Sequence, residues 1–164
     1  MAEYSLVFSE NLISAASILS DTGMNEVDEK RTVLYLSLLS SEISIKALLE
    51  QAGIPVQNIV NRRHKLVKLL GDLSKCEYKT EIANGVEGWA CASAVRAITV
   101  DEHYGNATIG TLLSAEEKGA AQYPNEIRYG EQLYHYPAEL VLKAASLLNT
   151  WAKEHFQSIR LSEQ

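Results

Sequence analysis

Arg128 and His135 are the residues of this sequence whose types and spacing most readily suggest chemistry. An arginine can hold a phosphate through two parallel hydrogen bonds, and a histidine can act as a general base near neutral pH. Cleavage of RNA without a metal ion needs a base that deprotonates the ribose 2′-hydroxyl and a cation that stabilises the charged phosphorane. Arg96 and His103 have the same spacing, so the sequence offers two candidate pairs. The alternative for Arg96 is an ordinary salt bridge, with Asp101 or Glu102 among its candidate partners.

Tyrosines are concentrated around the first of these pairs. Tyr123, Tyr129, Tyr134 and Tyr136 all precede the last long apolar segment. Tyrosines beside an arginine can stack a nucleotide base, anchor a protein interface, or pack beneath a long loop. We take Tyr123, Tyr129 and Tyr134 as candidate ligand-binding residues, together with His64.

The other histidines and the cysteines have structural explanations. A capping or side-chain hydrogen bond from His64, fixing the turn after Asn61, is the alternative to a ligand-binding role for that residue. His155 lies on the apolar stripe of the last predicted helix and is expected in the core. Cys91 lies among small apolar residues and is predicted to be a buried thiol. Because no His, Cys or acidic cluster has metal-ligand spacing, we expect no metal and no cofactor.

The elements that must position these residues are predicted to be helices, because apolar residues recur at helical spacing. The predicted helices cover about 5–20, about 28–52, a segment from about 61, about 84–101, and a last helix beginning at Pro137. Asp28 is the predicted N-cap of the second helix, and Gly53 followed by Pro55 is typical of a helix end. Glu42 and Lys46 are an i,i+4 pair in the favourable order.

The apolar residues predicted to face the core are Phe8 in the first helix, one stripe in the second helix (Leu34, Leu38, Ile45, Leu48 and Ala52), and Leu66, Leu69, Leu70 and Leu73 in the third.

The connection between Glu102 and Tyr136 has weak periodicity and four glycines. A short helix is expected at Ser114–Glu117, which forms a capping-box pattern, and a long irregular connection is often functional. The sum is an all-α, up-and-down helical bundle of four to five helices, in a single domain covering 1–164. The small residues at Ala90–Ala94 would then allow another helix to approach closely.

Composition places the chain among ordinary globular proteins, with 46% hydrophobic and 22% charged residues. The net charge of −6 argues against a general nucleic-acid binder. Basic residues outnumber acids between Arg62 and Lys79, and a solvated helix face is the expected explanation. The start of the chain lacks a signal-peptide pattern, and no uncharged apolar run has membrane-spanning length. We therefore expect a cytoplasmic protein.

The middle of the chain resembles a HEPN domain, a small helical bundle common in prokaryotes. The resemblance is carried by the E-x-x-x-K-A-L pattern of Glu42–Glu50, the Gly53–Pro55 turn, and the H-x-L-x-x-L-L pattern that begins at His64. The C-terminal helix with Trp151 is similar to the closing helix of such domains. The resemblance covers about 8–155, and its middle third is motif-like.

The resemblance implies one of two functions. Some HEPN proteins are metal-independent ribonucleases of toxin or phage-defence type, with an arginine and a histidine four to six residues apart; here Arg128 and His135 would be the catalytic pair. Others are accessory or ligand-binding partners, often beside a nucleotidyltransferase. Tyr129 follows Arg128 where family nucleases commonly have Asn, and the chain is acidic. We therefore expect an interaction or nucleotide/RNA-ligand-binding module, with the endoribonuclease as the alternative.

The resemblance also implies partners. A homodimer is expected, because related domains often build their sites at a two-fold interface, and the small-residue helix face at Ala90–Ala94 also fits a dimer. A nucleotidyltransferase or an antitoxin is the expected class of partner protein, and RNA or a nucleotide the expected ligand. No membrane contact is expected.

Overall fold

A 25-residue helix, α2 (Val27–Gln51), forms the centre of the fold and packs against α1 (Leu6–Asp21) and α6 (Ala138–His155). The computed structural model describes residues 1–23, 26–104, 107–118, 123–124 and 136–163. The predicted stripe of α2 is confirmed as core: Leu34, Leu38, Ile45, Leu48 and Ala52 are all buried. The helix begins before the predicted cap Asp28, because the backbone N–H of Glu26 donates to the Glu29 carboxylate at 3.3 Å.

Small polar residues let α1, α2 and α6 approach one another. Ser9 is fully buried, and its hydroxyl lies 2.8 Å from that of Ser40 and 2.6 Å from that of Ser44. The Asn149 side chain of α6 donates to the Ser9 hydroxyl at 3.1 Å. Each of these four buried polar side chains thus has a partner. Phe8, predicted to face inward, is 51% exposed, because Ser9 occupies the inner face of α1 instead.

The chain reverses after α2 through two short helices, α3 (Val56–Val60) and α4 (Leu66–Asp72). Gly53 ends α2 with a φ of 98°, as its position predicted. Arg62 donates to both oxygens of the buried Asp72, at 2.6 and 2.9 Å, and ties the turn to α4. Burial raises the pKa of Asp72, but hydrogen bonds from Arg62 and Lys75 outweigh it and lower that pKa. The basic stretch is therefore partly structural.

The predicted all-α bundle is wrong, because the predicted fourth helix over 84–101 contains instead the turn and second strand of a β-hairpin, a 3₁₀ turn and a short strand. Strand β1 (Cys76–Ala83) pairs antiparallel with β2 (Val86–Cys91), and a two-residue Asn84-Gly85 turn joins them. Both turn residues have positive φ, 50° and 78°. Asn-Gly is the turn sequence whose twist matches a two-residue hairpin, so local turn chemistry overrides the helical spacing. Ala90–Ala94 form no helix face, and the expected dimer loses that support.

A second small sheet and several 3₁₀ turns complete the departure from a bundle. Leu73–Lys75 form a 3₁₀ turn before β1, and Ala92–Ala97 form another after β2. Strand β3 (Thr99–Asp101) pairs with β4 (Ala107–Thr108), with a 3₁₀ turn at Glu102–Tyr104 between them. Helix α5 (Ile109–Lys118) contains the short helix predicted at Ser114–Glu117. The fold is therefore mostly helical with two antiparallel sheets.

The end of the chain joins the larger sheet. Strand β5 (Arg160–Leu161) pairs antiparallel with β1, which gives the strand order β2-β1-β5. His155 packs 4.4 Å from the ring centroid of Tyr78 and 4.7 Å from that of Trp151, and burial lowers its pKa. Arg160 stacks on Trp89 at 3.5 Å from the ring centroid. These contacts fasten the hairpin to the helical layer.

Among the described residues, α2 is the one helix whose length and apolarity would suit a membrane span, but 72% of that window is buried inside the fold. Its apolar residues pack against α1 and α6.

Two glycine substitutions, one in the hairpin turn and one in α4, should have opposite effects on the stability of the protein. Gly85→Ala should destabilise the protein by about 1–2 kcal/mol, because alanine is strained at a φ of 78°. Gly71→Ala should stabilise it by about 0.5 kcal/mol, because Gly71 lies in α4 with no atom within 4 Å of an added Cβ. Urea unfolding of both variants measures this. A stabilising Gly85→Ala would favour the helix that the periodicity predicted.

The two cysteines should differ in reactivity. Cys91, predicted to be buried, is exposed because it ends an edge strand, whereas Cys76 is buried and burial raises its pKa to about 11. A disulfide reagent at pH 8 should therefore modify one thiol quickly and the second only after unfolding, since the thiolate is the nucleophile. Cys91→Ser should remove the fast phase. A fast phase that survives this substitution would contradict the placement.

Candidate functional site

The candidate site is centred on a buried carboxylate, that of Glu42 in α2, which is 3% exposed. Lys46 donates to its Oε1 at 2.7 Å, and the Tyr123 hydroxyl donates to its Oε2 at 2.7 Å. His64 Nδ1 lies 3.0 Å from Oε2. We call these four residues the Glu42 cluster. They come from three separate parts of the chain, and the Glu42 carboxylate joins these parts.

Local structure explains how the four residues meet. Glu42 and Lys46 are one helical turn apart, in the order that favours pairing, and the predicted pair is confirmed. His64 reaches α2 because the chain turns sharply before α4, with Arg63 at a φ of 52°. The rings of His64 and Tyr123 are 6.2 Å apart and nearly perpendicular, at 89°. This edge-to-face geometry is a favourable one for aromatic pairs.

Electrostatics dictate the composition of the cluster. A buried carboxylate is costly unless it is paired and hydrogen-bonded, and Lys46 is itself nearly buried, at 7% exposed. The Lys46 ammonium also lies 5.4 Å from the ring centroid of Tyr4. Burial, with the nearby carboxylates of Glu3, Glu50 and Glu42, raises the pKa of that tyrosine. His64 has 47% of its side chain exposed, so it connects the buried acid with solvent.

A second buried acid, Glu116 of α5, fixes the chain on both sides of the tyrosine-rich stretch. Its backbone carbonyl accepts from the Tyr123 N–H at 3.0 Å, and its Oε1 accepts from the Tyr136 N–H at 2.8 Å. Glu116 is fully buried. The described residues Tyr123 and Tyr136, which lie on either side of 125–135 in the sequence, are therefore both bonded to one residue, and connections with such closely spaced ends are frequently functional.

Of the predicted site residues in the first pair and the ligand-binding set, the structure describes two, His64 and Tyr123. It brings His64 and Tyr123 together at Glu42, so the side-chain bond expected of His64 exists, although it holds α2 rather than capping a helix. Arg128, Tyr129, Tyr134 and His135 lie outside the described residues, and their roles stay predictions.

The second candidate pair is not assembled. Arg96 lines a cavity beside α4 and α5, whereas His103 lines a different one with Asp101 and Lys143. Asp101 pairs with His103 at 3.2 Å and with Lys143 at 3.5 Å, and the ion pairs within the described ranges include none made by Arg96. The salt bridge expected of Arg96 with Asp101 or Glu102 is therefore absent there.

Sequence reasoning missed Glu42 itself as a centre. The available signal was an acid and a lysine one turn apart inside a helix whose other faces are Leu, Ile and Ser. Such a pair lies at the surface in most helices, and the all-round apolarity of α2 was the sign that it would be buried.

Comparison with protein-family models, with curated proteins and with solved structures finds no match. The HEPN resemblance therefore stays a prediction from the motif residues, several of which form the Glu42 cluster. Within the described ranges, no group of three His, Cys, Asp or Glu residues could hold a metal ion.

Removing one charge of the Glu42–Lys46 pair should destabilise the protein more than removing both charges. Glu42→Gln should destabilise the protein by about 3 kcal/mol, because it leaves the nearly buried Lys46 without its counter-charge. The double variant Glu42→Gln/Lys46→Met should recover much of that loss. Denaturant unfolding of Glu42→Gln, Lys46→Met and the double variant measures the coupling free energy between the two side chains. Strictly additive effects would show that the two charges are independent.

Proposed function

We propose that this chain is a nucleotide- or RNA-ligand-binding module that acts with a partner protein, as the resemblance to HEPN domains implies. The observation that carries the proposal is the double anchoring of Tyr123 and Tyr136 on Glu42 and Glu116. This anchoring fixes both ends of the segment in which the sequence concentrates an arginine, a histidine and two tyrosines.

Anchoring matters because ligand affinity depends on how much order binding must create. Side chains on a connection whose ends are fixed lose less freedom when they close on a ligand than those on a free tail. Tyr129 and Tyr134 would stack on bases, and Arg128 would hold a phosphate. His64, beside Tyr123 and half-exposed, would contribute a further donor at the edge of this surface.

Binding without cleavage is preferred for reasons of charge and sequence. Efficient RNA processing by a chain of net charge −6 would need a concentrated basic surface. In the basic stretch, Arg62 and Lys75 are instead engaged with Asp72. A partner protein would supply the additional contacts or the catalytic step, and a nucleotidyltransferase or an antitoxin is the class of partner that the resemblance implies.

The proposal predicts binding that depends on the two tyrosines. Labelled single-stranded RNA and nucleotides should bind the purified protein, and Tyr129→Ala and Tyr134→Ala should each weaken that binding about tenfold, since one base–aromatic stack is worth about 1–3 kcal/mol. Fluorescence anisotropy measures the affinities. Tyr104→Ala is the matched control, because Tyr104 is an exposed tyrosine at 51% that lies outside this segment. Equal losses in all three variants would refute the proposal.

The same preparation tests the ribonuclease alternative. The protein is incubated with total RNA and with tRNA in EDTA, alongside Arg128→Ala and His135→Ala. Cleavage that gives 2′,3′-cyclic phosphate ends and disappears in both variants would establish the nuclease in place of the binding module. Intact RNA with retained binding supports the module.

A further inference from the structure

A cavity of about 690 Å³ lies beside α4, α5 and the 3₁₀ turn at Ala92–Ala97, and none of its described lining residues belongs to the Glu42 cluster. Its volume falls within the range of small-molecule sites. It is lined by Val67, Leu70, Arg96, Thr108, Gly110, Thr111, Ser114, Ala115 and Lys118. The lining combines an apolar floor with hydroxyl groups and two cations.

The charge of this cavity is opposite to that of the molecule. Arg96 and Lys118 contribute two positive charges, and none of the described residues that line it is acidic, in a protein of net charge −6. In the described part of the chain, neither cation forms an ion pair, whereas Arg62 and Arg160 are both engaged with carboxylates. The cavity therefore presents, at one concave surface, two cations without a carboxylate partner among the described residues.

Backbone packing fixes the position of Arg96. A Cβ on Gly110 would lie 3.0 Å from the Arg96 Cβ and 3.1 Å from its carbonyl oxygen, so the two segments approach this closely because residue 110 is glycine. The Ile109 N–H also donates to the Ile98 carbonyl at 3.0 Å. Thr108 and Thr111 bond reciprocally, backbone N–H to hydroxyl, at 2.8 and 3.2 Å. Arg96 thus projects from a backbone that is fixed against the start of α5.

We infer that this cavity binds a phosphate monoester, the terminal group of a nucleoside monophosphate. Such a group carries about 1.5–2 negative charges near pH 7, which the two cations balance. Arg96 would bind it bidentately, Lys118 would add a point charge, and the Ser114 hydroxyl would donate. The floor of Val67, Leu70 and Ala115 would take the apolar face of the attached base or sugar. For its ligand class, a nucleotide, the inference rests on the proposed function, but the cavity is a separate site from the phosphate contact proposed for Arg128.

The test is calorimetric titration of the purified protein with adenosine monophosphate, adenosine and inorganic phosphate. The monophosphate should bind, and adenosine should bind at least about tenfold more weakly, because it lacks the charged hydrogen-bond acceptor. Arg96→Gln and Lys118→Gln should each weaken monophosphate binding by about tenfold or more. Both side chains are exposed, so melting temperatures should stay close to that of the wild type.

Arg63→Asn is the matched control, since it removes an exposed arginine at a φ of 52°, which asparagine adopts readily. No monophosphate binding at millimolar concentration, or equal losses in Arg96→Gln and Arg63→Asn, would overturn the site. A short RNA with a 5′-phosphate distinguishes the source of the group: tighter binding than the monophosphate indicates an RNA end, and weaker binding a free nucleotide.

Two variants separate this inference from the proposed function. Loss of monophosphate binding in Arg96→Gln with full binding in Tyr129→Ala would support the cavity and refute the tyrosine segment as the ligand surface. Loss of monophosphate binding in Tyr129→Ala with full binding in Arg96→Gln would refute the cavity as the binding site and support the tyrosine segment.

Discussion

The fold depends on the need to neutralise one carboxylate in the middle of its central helix. Glu42 is buried where α2 meets the α3–α4 turn and the chain before α6, and each of these neighbours supplies a donor. Hydrophobic contact alone is tolerant of small shifts, because it is non-directional. Hydrogen bonds of 2.7–3.0 Å are not. The acid therefore sets the register of the α3–α4 turn on α2 and the place where Tyr123 docks.

The helical part of this fold could be read from the sequence, because its signals are local. The periodic apolar stripes of α2 and α6, the glycine that ends α2, and the Glu42–Lys46 pair each depend on residues within a turn or two of one another. Leu66, Leu69, Leu70 and Leu73 were expected to face inward, and all four are buried. Here the helix period and the burial pattern agree.

The sheet was missed because two local signals conflict between Cys76 and Ala97. Val86, Ala90 and Val95 have a helix-like spacing, but Asn84-Gly85 requires two successive residues of positive φ, which a helix cannot contain. The strand alternation of Tyr78, Thr80 and Ile82 was also available: Tyr78 and Thr80 are half-buried, and the Ile82 side chain lies over Gly88 of the partner strand. A hairpin forms instead of a helix because of the turn residues and because β1 pairs with β5, which is distant in sequence. The dependence of Tyr123 on Glu42, across 81 positions, was likewise beyond any local pattern.

The two proposed sites share one helix, and this has a physical consequence. On α5, Glu116 bonds to the chain at Tyr123 and Tyr136, while Ser114, Ala115 and Lys118 line the cavity. The Val67 N–H of α4 donates to the Glu117 carboxylate at 3.4 Å, so α4 and α5 are also joined at this point. Coupling between sites needs a contiguous element that both can bias. A ligand drawn toward Lys118 would act on the same helical turn whose acid holds the tyrosine segment at both ends. Glu116 and Lys118 are two residues apart on a helix fixed at its start by Gly110 and Arg96, so a displacement of this helical turn would change both sets of contacts together.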